Sequence, residues 1–243
     1  MPIQNQVQMS KIAIMQPYIF PYIGHFQLIY ATDVYVFYDD VNYINRGWIN
    51  RNKILLNGKE QLFTIPCIDA SQNKLIKDVQ VLNDKSISKV LTTISAAYKK
   101  SPYFTDVFPI IEKTLRFEGD MPISQLAVNS IVSVCAYLDI KRNFKVCSEQ
   151  GYNNIELRKA DRLIDICHKE RIDHYINAAG GRAIYSKEYY AERGIKLDFL
   201  ISERKDYPQF NNTFVPWLSI IDVLMFNSKE EINNVLMQSY HLE

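Results

Sequence analysis

Glycine, cysteine and tryptophan are scarce in this chain of 243 residues, which contains eight glycines, four cysteines and two tryptophans. No two cysteines lie within four residues of one another, so the sequence has no CxxC pair of a zinc site or a redox motif. We therefore expect four reduced, mostly buried thiols, which is typical of a cytoplasmic protein.

An excess of charge of either sign is also missing. The 28 Lys and Arg residues oppose 27 Asp and Glu residues, for a formal net charge of +1, which excludes the bulk basic field that long nucleic acid requires. The most apolar late stretch, 214–226, contains Pro216 and Asp222 and is too short to span a bilayer. Hydrophobic residues make up 47% of the chain, so we expect a sizeable folded core.

The start of the chain predicts its fold class. We expect residues 1–10 to form a flexible leader and 11–243 a single α/β domain. A short apolar run at 11–15 predicts a buried strand, spacing from 22 to 30 predicts a helix, and 34–38 predicts a second strand. Strand, helix and strand in this order form a βαβ unit, which implies a parallel sheet. The fold we predict is a parallel sheet of βαβ units, similar to nucleotidylyl transferases or the Rossmann fold.

A β-hairpin is predicted as an insertion over about residues 46–82. Residues 48–55 and 61–65 flank Asn57-Gly58, a pair typical of a type I′ turn. Residues 76–81 are a candidate for a third antiparallel strand. This pattern interrupts the succession of βαβ units.

Helices are predicted to dominate the middle of the chain, over about residues 84–140. Further on, Asn153-x-x-Glu156 resembles a capping box and predicts a helix from Ile155 to about Arg171. A strand at 173–177 follows. The helical segment therefore separates two groups of strands.

The first candidate site follows the first predicted strand and contains Gln16, Tyr18 and Tyr22-x-Gly24-His25. Ligands of open α/β sheets bind at the carboxyl ends of strands, and the N–H groups at a helix start favour anions. Tyr22-x-Gly24-His25 resembles the HxGH signature of nucleotidylyl transferases, with Tyr22 at the first His position. The alternative is that these side chains only pack the helix against the sheet.

The second candidate site is the segment 39–53, which is rich in Asn and Arg. Arg can grip phosphate or carboxylate, Asn can bind hydroxyls and amides, and Trp can stack on a ring. An acidic pair can hold a divalent cation such as Mg²⁺ or supply a general base. A solvated hairpin with ordinary surface residues is the alternative. The candidate residues are Asp39, Asp40, Asn42, Tyr43, Arg46, Trp48, Asn50 and Arg51.

A third candidate site, Gly180-Gly181-Arg182, lies between a predicted strand and a predicted helix. Paired glycines allow close backbone approach to a ligand, and successive N–H groups can bind an anion. The alternative is a simple strand-to-helix turn with Ser186 as the N-cap. Gln209 is a further candidate for reaching the same cleft, while Asp222, inside an apolar helix, needs a polar partner.

Three blocks of the sequence together resemble the WbqC-like family. They are Gln16-Pro with Pro21-Tyr-Ile-Gly-His-Phe-Gln-Leu-Ile29, Asp39-Asp-Val-Asn-Tyr with Arg46-Gly-Trp-Ile-Asn-Arg51, and Pro216-Trp-Leu-Ser-Ile-Ile-Asp222. Members of this family look like products of bacterial O-antigen and surface-polysaccharide (lipopolysaccharide) gene clusters, and a glycine transferase role has been suggested for one. An aromatic residue often stands at the position of His25 in this family, which favours Gln16, Arg46, Asn50 and Arg51 as functional residues.

The resemblance and the candidate sites together predict a transferase. It would move an acyl or aminoacyl (glycyl) group to the amine of a nucleotide-linked deoxyamino sugar, from an acyl carrier, CoA or aminoacyl-tRNA. Gln16, His25, Asp39 and Asp40 are the candidate catalytic residues, and a general base must take the proton of the amine. The alternatives are an HxGH-like nucleotidylyl transferase or ligase that uses Mg²⁺, and a non-enzymatic sugar-binding subunit. A homodimer also stays open.

All of these functional hypotheses need one geometry. Gln16, the Asn- and Arg-rich segment and Gly180-Gly181 must converge around one shared pocket.

Overall fold

The computed structural model describes residues 10–211 and 213–243, so the predicted leader, apart from Ser10, lies outside the described residues. The strands are β1 (Lys11–Met15), β2 (Val34–Phe37), β3 (Arg51–Leu56), β4 (Lys59–Thr64), β5 (Cys67–Ile68), β6 (Gln80–Val81), β7 (Asn143–Val146), β8 (His174–Ala178), β9 (Lys196–Ser202) and β10 (Tyr240–Leu242). The α-helices are α1 (Ile23–Tyr30), α2 (Lys85–Tyr98), α3 (Phe104–Leu115), α4 (Ile123–Tyr137), α5 (Lys159–Glu170), α6 (Lys187–Ala191), α7 (Ile220–Phe226) and α8 (Lys229–Glu231).

A mostly parallel sheet forms the centre of the fold, in the order β10-β9-β8-β1-β2-β7. Only β10 runs antiparallel to its neighbour. The parallel pairing of β1 with β2 across α1 confirms the predicted βαβ unit. The chain passes from β1 to β2 and β7 on one side, and β8 and β9 then lie on the other side of β1. The strand order therefore reverses between β1 and β8, where open α/β sheets form a crevice.

Helices cover both faces of this sheet. Ile12 and Ile14 of β1 join a buried cluster with Leu163 of α5, whereas Ala13 joins a second cluster with Phe26 of α1. This alternation follows from the two-residue period of a strand. None of the helices in the described ranges has the length and hydrophobicity that a membrane crossing requires.

The predicted hairpin is confirmed, but the candidate third strand, 76–81, forms only over Gln80–Val81 and does not pair with the hairpin. β3 pairs with β4 around Asn57-Gly58, and both turn residues have positive φ, 51° and 74°, as a type I′ turn demands. Residues 76–78 instead form a 3₁₀ turn, and β6 pairs with β5 in a separate ribbon. The backbone bond from Ile76 N–H to the Val41 carbonyl draws this segment away from the hairpin.

The predicted helical middle is confirmed by α2, α3 and α4, but the capping box before α5 is wrong. Asn153 adopts a left-handed conformation (φ 49°), and α5 begins only at Lys159. The Asn154 side chain accepts a bond from Arg162 Nε (3.0 Å) and donates to Asp165 Oδ2 (2.6 Å). These bonds hold a turn against α5 and place the helix start at the edge of a cleft.

The apolar residues of 217–226 predict a late helix over that range, but α7 begins only at Ile220. Trp217 has φ 58°, in the left-handed region that helix interiors exclude. The Ser219 side chain accepts a bond from the N–H of Ile221 and caps α7. Trp217 therefore belongs to a loop.

Candidate functional site

Two adjoining cavities form a cleft at the carboxyl ends of β1, β2 and β8. The β8 cavity has a volume of about 450 Å³ and the α5 cavity about 580 Å³. Both are lined by Gln16, which follows β1, and by Tyr38, which follows β2. The cleft therefore lies where the strand order reverses, which is the usual ligand site of open α/β sheets.

The β8 cavity brings Gln16, Tyr18 and His25 together with the diglycine turn. A Cβ atom on Gly181 would lie 2.6 Å from Asn177 Nδ2, so the close approach of Asn177 requires glycine at 181. A Cβ atom on Gly180 would meet no heavy atom within 4 Å. Gly180 and Gly181 also belong to a 3₁₀ turn, 179–183, and Ser186 caps α6 as the simpler interpretation expects.

His25 is an uncharged wall of the β8 cavity. Its side chain is buried, its Nε2 lies 2.5 Å from Tyr35 Oη, and burial lowers its pKa to about 3. A neutral imidazole cannot supply the positive charge that an HxGH histidine offers to phosphate. With this pKa His25 is also a weak base, so the structure gives no support to His25 as the general base.

Asp39 and Asp40 occupy different environments. Asp39 accepts from Ser148 N at Oδ1 (3.0 Å) and from Ser148 Oγ at Oδ2 (2.7 Å), and it does not line the cleft. Burial raises the pKa of Asp39, and its bonds with Ser148 oppose that effect. Asp40 does line the α5 cavity and pairs with Arg162 (2.6 Å). The described residues contain no group of three or more His, Cys, Asp or Glu that could hold a metal ion.

Three cationic side chains line the α5 cavity, and none of them was predicted from the sequence as a site residue. Arg158 and Lys159 are exposed at the start of α5, and Arg162 is buried one turn later. Arg162 donates to Asn154 and to Asp40, and its guanidinium carbon lies 4.9 Å from the centre of the Tyr38 ring. One carboxylate facing three cations leaves this cavity electropositive, so it favours an anionic ligand.

Much of the Asn- and Arg-rich segment is structural. Tyr43 Oη donates to Asn50 Oδ1 (2.7 Å), and Asn50 Nδ2 donates to the Ile65 carbonyl (2.8 Å). Neither side chain lines the cleft. These bonds satisfy polar groups of the hairpin, so Tyr43 and Asn50 hold the hairpin together and do not face the cleft.

The two arginines of the segment also lie outside the cleft. Arg46 is exposed on a turn, and Arg51 Nε donates to the Gly47 carbonyl (2.9 Å). Asn42, by contrast, lines the α5 cavity. Trp48 lines a separate hollow that shares Tyr18 and Tyr22 with the β8 cavity. Convergence therefore holds for Gln16 and the diglycine. The segment contributes Asp40, Val41 and Asn42 to the cleft, and Trp48 and Asn52 to the hollow next to it.

Arg182 and Gln209 do not reach the cleft either. Arg182 forms an exposed ion pair with Glu243 (2.7 Å). Gln209 is buried and donates to Asp222 Oδ1 (2.6 Å) and to the Val215 carbonyl (3.1 Å). Gln209 is thus one of three partners of the buried Asp222, together with Tyr98 and Tyr207.

Among the cleft residues that were not predicted, one had a recognisable signal in the sequence and the three cations of α5 had none. Asn177 stands at the end of a predicted strand, beside the diglycine, so strand-end reasoning could have found it. Arg158, Lys159 and Arg162 carried no such signal, because the predicted start of their helix was wrong.

Comparison with known proteins extends this picture. The sequence profile of the WbqC-like protein family matches residues 16–234, nearly the whole chain. The chain belongs to the WbqC-like family. The matched range contains every residue that lines the cleft except Ile14 and Met15.

One relative of the chain is a Mycobacterium tuberculosis (strain ATCC 25618 / H37Rv) protein described as "Uncharacterized protein Rv1507c". It is 25% identical over 230 residues, which cover 94% of this chain and 98% of the relative. No solved structure matches the chain significantly.

Proposed function

We propose that this WbqC-like protein is a transferase that binds a nucleotide-linked deoxyamino sugar and acylates its amine. The acyl group is an aminoacyl group such as glycyl, or a simpler acyl group, carried by CoA, an acyl carrier or tRNA. The observation that carries the proposal is the two-part cleft, whose cavities meet at Gln16 where the strand order reverses.

The strand order supports a Rossmann-like or nucleotidylyl-transferase-like interpretation of the sheet. The five parallel strands lie in the order β9-β8-β1-β2-β7, which corresponds to 5-4-1-2-3 in chain order. Doubly wound folds with this order bind nucleotides in the crevice beside their first strand. The cleft occupies the equivalent place.

The electropositive α5 cavity is the proposed site of the pyrophosphate. Arg158 and Lys159 are available to an anion there, while Arg162 is oriented by Asp40 and Asn154. The free N–H groups of the first turn of α5 add to the positive potential. This assignment replaces Arg46 and Arg51, which lie outside the cleft.

The proposed chemistry is attack of the sugar amine on the carbonyl carbon of an acyl thioester or ester. The new amide bond forms, the bond to the thiolate or alkoxide breaks, and the amine loses a proton. The departing thiolate or alkoxide takes up this proton, because Asp40 is already paired with Arg162 in the α5 cavity and His25 is a weak base. Backbone N–H groups at Gly180-Gly181 are the proposed donors to the carbonyl oxygen as it gains charge. Gln16, on the wall between the cavities, is the proposed positioning residue.

The test is to incubate the purified chain with a dTDP-linked 4-amino-4,6-dideoxyhexose and each activated donor, acetyl-CoA, glycyl-tRNA and an acyl carrier thioester. Mass spectrometry then measures formation of the amide. Product with one donor supports the proposal. Absence of product with every donor overturns it, whether or not calorimetry detects binding of the nucleotide sugar.

A matched pair of variants localises the binding. Lys159 and Arg46 are both exposed cations with left-handed backbone, φ 49° and 57°, but only Lys159 lines the cleft. Lys159→Gln is expected to raise KM for the nucleotide sugar, whereas Arg46→Gln should leave it unchanged. Equal effects of the two substitutions would contradict the placement of the pyrophosphate.

The proposed setting is the cytoplasmic stage of O-antigen or surface-polysaccharide synthesis, acting alone or as a homodimer. The four cysteines are free thiols, which supports a reducing compartment. The nucleotide sugar and the activated donor are the proposed partners.

A further inference from the structure

A third concavity, which we call the aromatic hollow, lies next to the cleft. It has a volume of about 300 Å³ and is lined by Tyr18, Pro21, Tyr22, Trp48, Asn52 and Trp217. The chain has two tryptophans, and both line this hollow with exposures of 42% and 47%. Large aromatic side chains exposed together in one place mark an interaction site more often than surface residues scattered singly.

Hydrogen bonds beneath the hollow hold its three walls together. Ser219 Oγ donates to the Phe20 carbonyl (2.7 Å), and Ser219 N donates to the Lys53 carbonyl (2.8 Å). The buried Asn52 side chain donates to the same Phe20 carbonyl (2.8 Å). The segments that carry Tyr22, Trp48 and Trp217 are thus fixed relative to one another, so the hollow is preformed.

Two backbone features fit the aromatic rings to this place. The backbone of Trp217 has a left-handed conformation, with φ 58°. Residues other than glycine rarely adopt this conformation outside functional sites or positions that the surrounding structure strongly constrains. A Cβ atom on Gly24 would lie 2.4 Å from Tyr22 Cε2, so glycine at 24 lets the Tyr22 ring lie against α1. The Tyr22 and Trp217 rings then meet edge to face, with centroids 6.1 Å apart.

The chemistry of the walls favours recognition of a ring by its face. No charged side chain lines the hollow, and the Asn52 amide is already bonded to backbone groups. The cations of Arg51 and Lys53 lie 5.8 Å and 5.9 Å from the centre of the Trp48 ring. The C–H face of a pyranose carries partial positive charge, which the negative face of an indole attracts. Small-molecule sites have volumes of roughly 300–1,000 Å³. The hollow, with about 300 Å³, lies at the lower end of this range, which suits a ligand group of one ring.

The hollow is continuous with the cleft, because Tyr18 and Tyr22 line both the hollow and the β8 cavity. We propose that the aromatic hollow binds the pyranose ring of the nucleotide-linked sugar by stacking it on Trp48 and Trp217. This proposal rests on the proposed function for the choice of ligand. The nucleotide then lies in the cleft.

Tryptophan fluorescence tests the proposal without turnover, since the only two tryptophans of the chain line the hollow. The probes are a dTDP-linked 4-amino-4,6-dideoxyhexose and dTDP alone, each with parallel calorimetry. The sugar nucleotide is expected to change the emission, and dTDP alone is expected to bind without this change. Trp48→Ala and Trp217→Ala should each weaken binding of the sugar nucleotide roughly tenfold, the loss of one stacking contact, with the remaining tryptophan as the reporter.

The matched control is Leu62→Ala, which removes a hydrophobic side chain of similar exposure, 43%, outside the hollow. It should leave affinity unchanged. An equal emission change with dTDP alone would place the base in the hollow and overturn the proposal. Binding of the sugar nucleotide in calorimetry with no emission change would also overturn it, while leaving the proposed transfer reaction intact. Emission changes and tenfold losses without product under every donor would support the hollow and contradict the transferase.

Discussion

The diglycine turn allows a prediction from two adjacent, chemically identical substitutions. A Cβ atom at Gly181 would lie 2.6 Å from Asn177 Nδ2 and 3.3 Å from Phe199 Cε1, whereas one at Gly180 meets nothing within 4 Å. Overpacking of this kind costs about 1–3 kcal/mol. Gly180→Ala, at a position without positive φ, should instead stabilise by about 0.4–1 kcal/mol, because alanine restricts the unfolded chain.

Urea denaturation followed by circular dichroism measures both free energies of unfolding. A cost of about 2 kcal/mol for Gly181→Ala corresponds to a melting temperature lower by roughly 4–8 °C in a chain of this size. Asn177→Ala removes the Nδ2 atom with which the new Cβ atom would clash, so Gly181→Ala should destabilise the Asn177→Ala variant less than the wild-type chain. Equal stability of the two single variants, or an undiminished cost in the Asn177→Ala background, would refute the steric reasoning.

Three further predictions concern buried ionisable groups. Burial raises the pKa of Asp222, so the native state holds the proton more tightly than the unfolded chain does. The free energy of unfolding should therefore decline as pH rises from the ordinary aspartate range through the folded pKa. Asp222→Asn should remove this decline in urea titrations at a series of pH values. The His25 ring, with a pKa of about 3, should show no NMR titration near pH ~6.5, and a midpoint there would contradict its burial. Ser148→Ala should lower the free energy of unfolding by about 1–3 kcal/mol, because the buried Asp39 carboxylate loses its hydroxyl donor, and Asp39→Ala should cost less, because the groups of the exposed Ser148 can bond water instead.

Local signals in the sequence predicted the first βαβ unit and the hairpin. The apolar run at 11–15 has the observed bounds of β1, and Asn57-Gly58 adopts the two positive φ angles of a type I′ turn. Each of these signals acts over a few neighbouring residues. A side-chain period or a glycine at a turn therefore carries enough information to fix the local structure.

Element boundaries that depend on distant contacts could not be predicted in this way. The late start of α5 depends on side-chain bonds between Asn154 and Arg162, and residues 76–81 follow backbone bonds to Val41 and Met121. Trp217 leaves the helical pattern because Ser219 bonds to Phe20 and Lys53. Such partners are far apart in sequence, so no periodicity of the segment itself reveals them.

The residues of the candidate site also differ in whether local sequence signals could predict them. Gln16 and Gly181 follow strands of a parallel sheet, and strand ends of such a sheet meet at one edge, so their convergence was predictable. The cations Arg158 and Lys159 belong to a crossover helix whose direction only the tertiary structure reveals. The composition of the segment 39–53 therefore predicted Arg46 as a functional residue, whereas the structure has Arg46 exposed outside the cleft.

The richness of the segment 39–53 in asparagine has a physical explanation that differs from direct ligand binding. Asn50 donates to the Ile65 carbonyl, and Asn52 donates to the Phe20 carbonyl, at places where a strand ladder offers no partner. A buried carbonyl without a partner is costly. The Asn50 amide supplies a donor to the Ile65 carbonyl, and the Asn52 amide adds a second donor, beside Ser219, at the Phe20 carbonyl. These bonds fix the backbone on either side of Arg51, and with it the wall that carries Trp48. The asparagines thus act on the candidate site indirectly, by holding in place the ring that a ligand would touch.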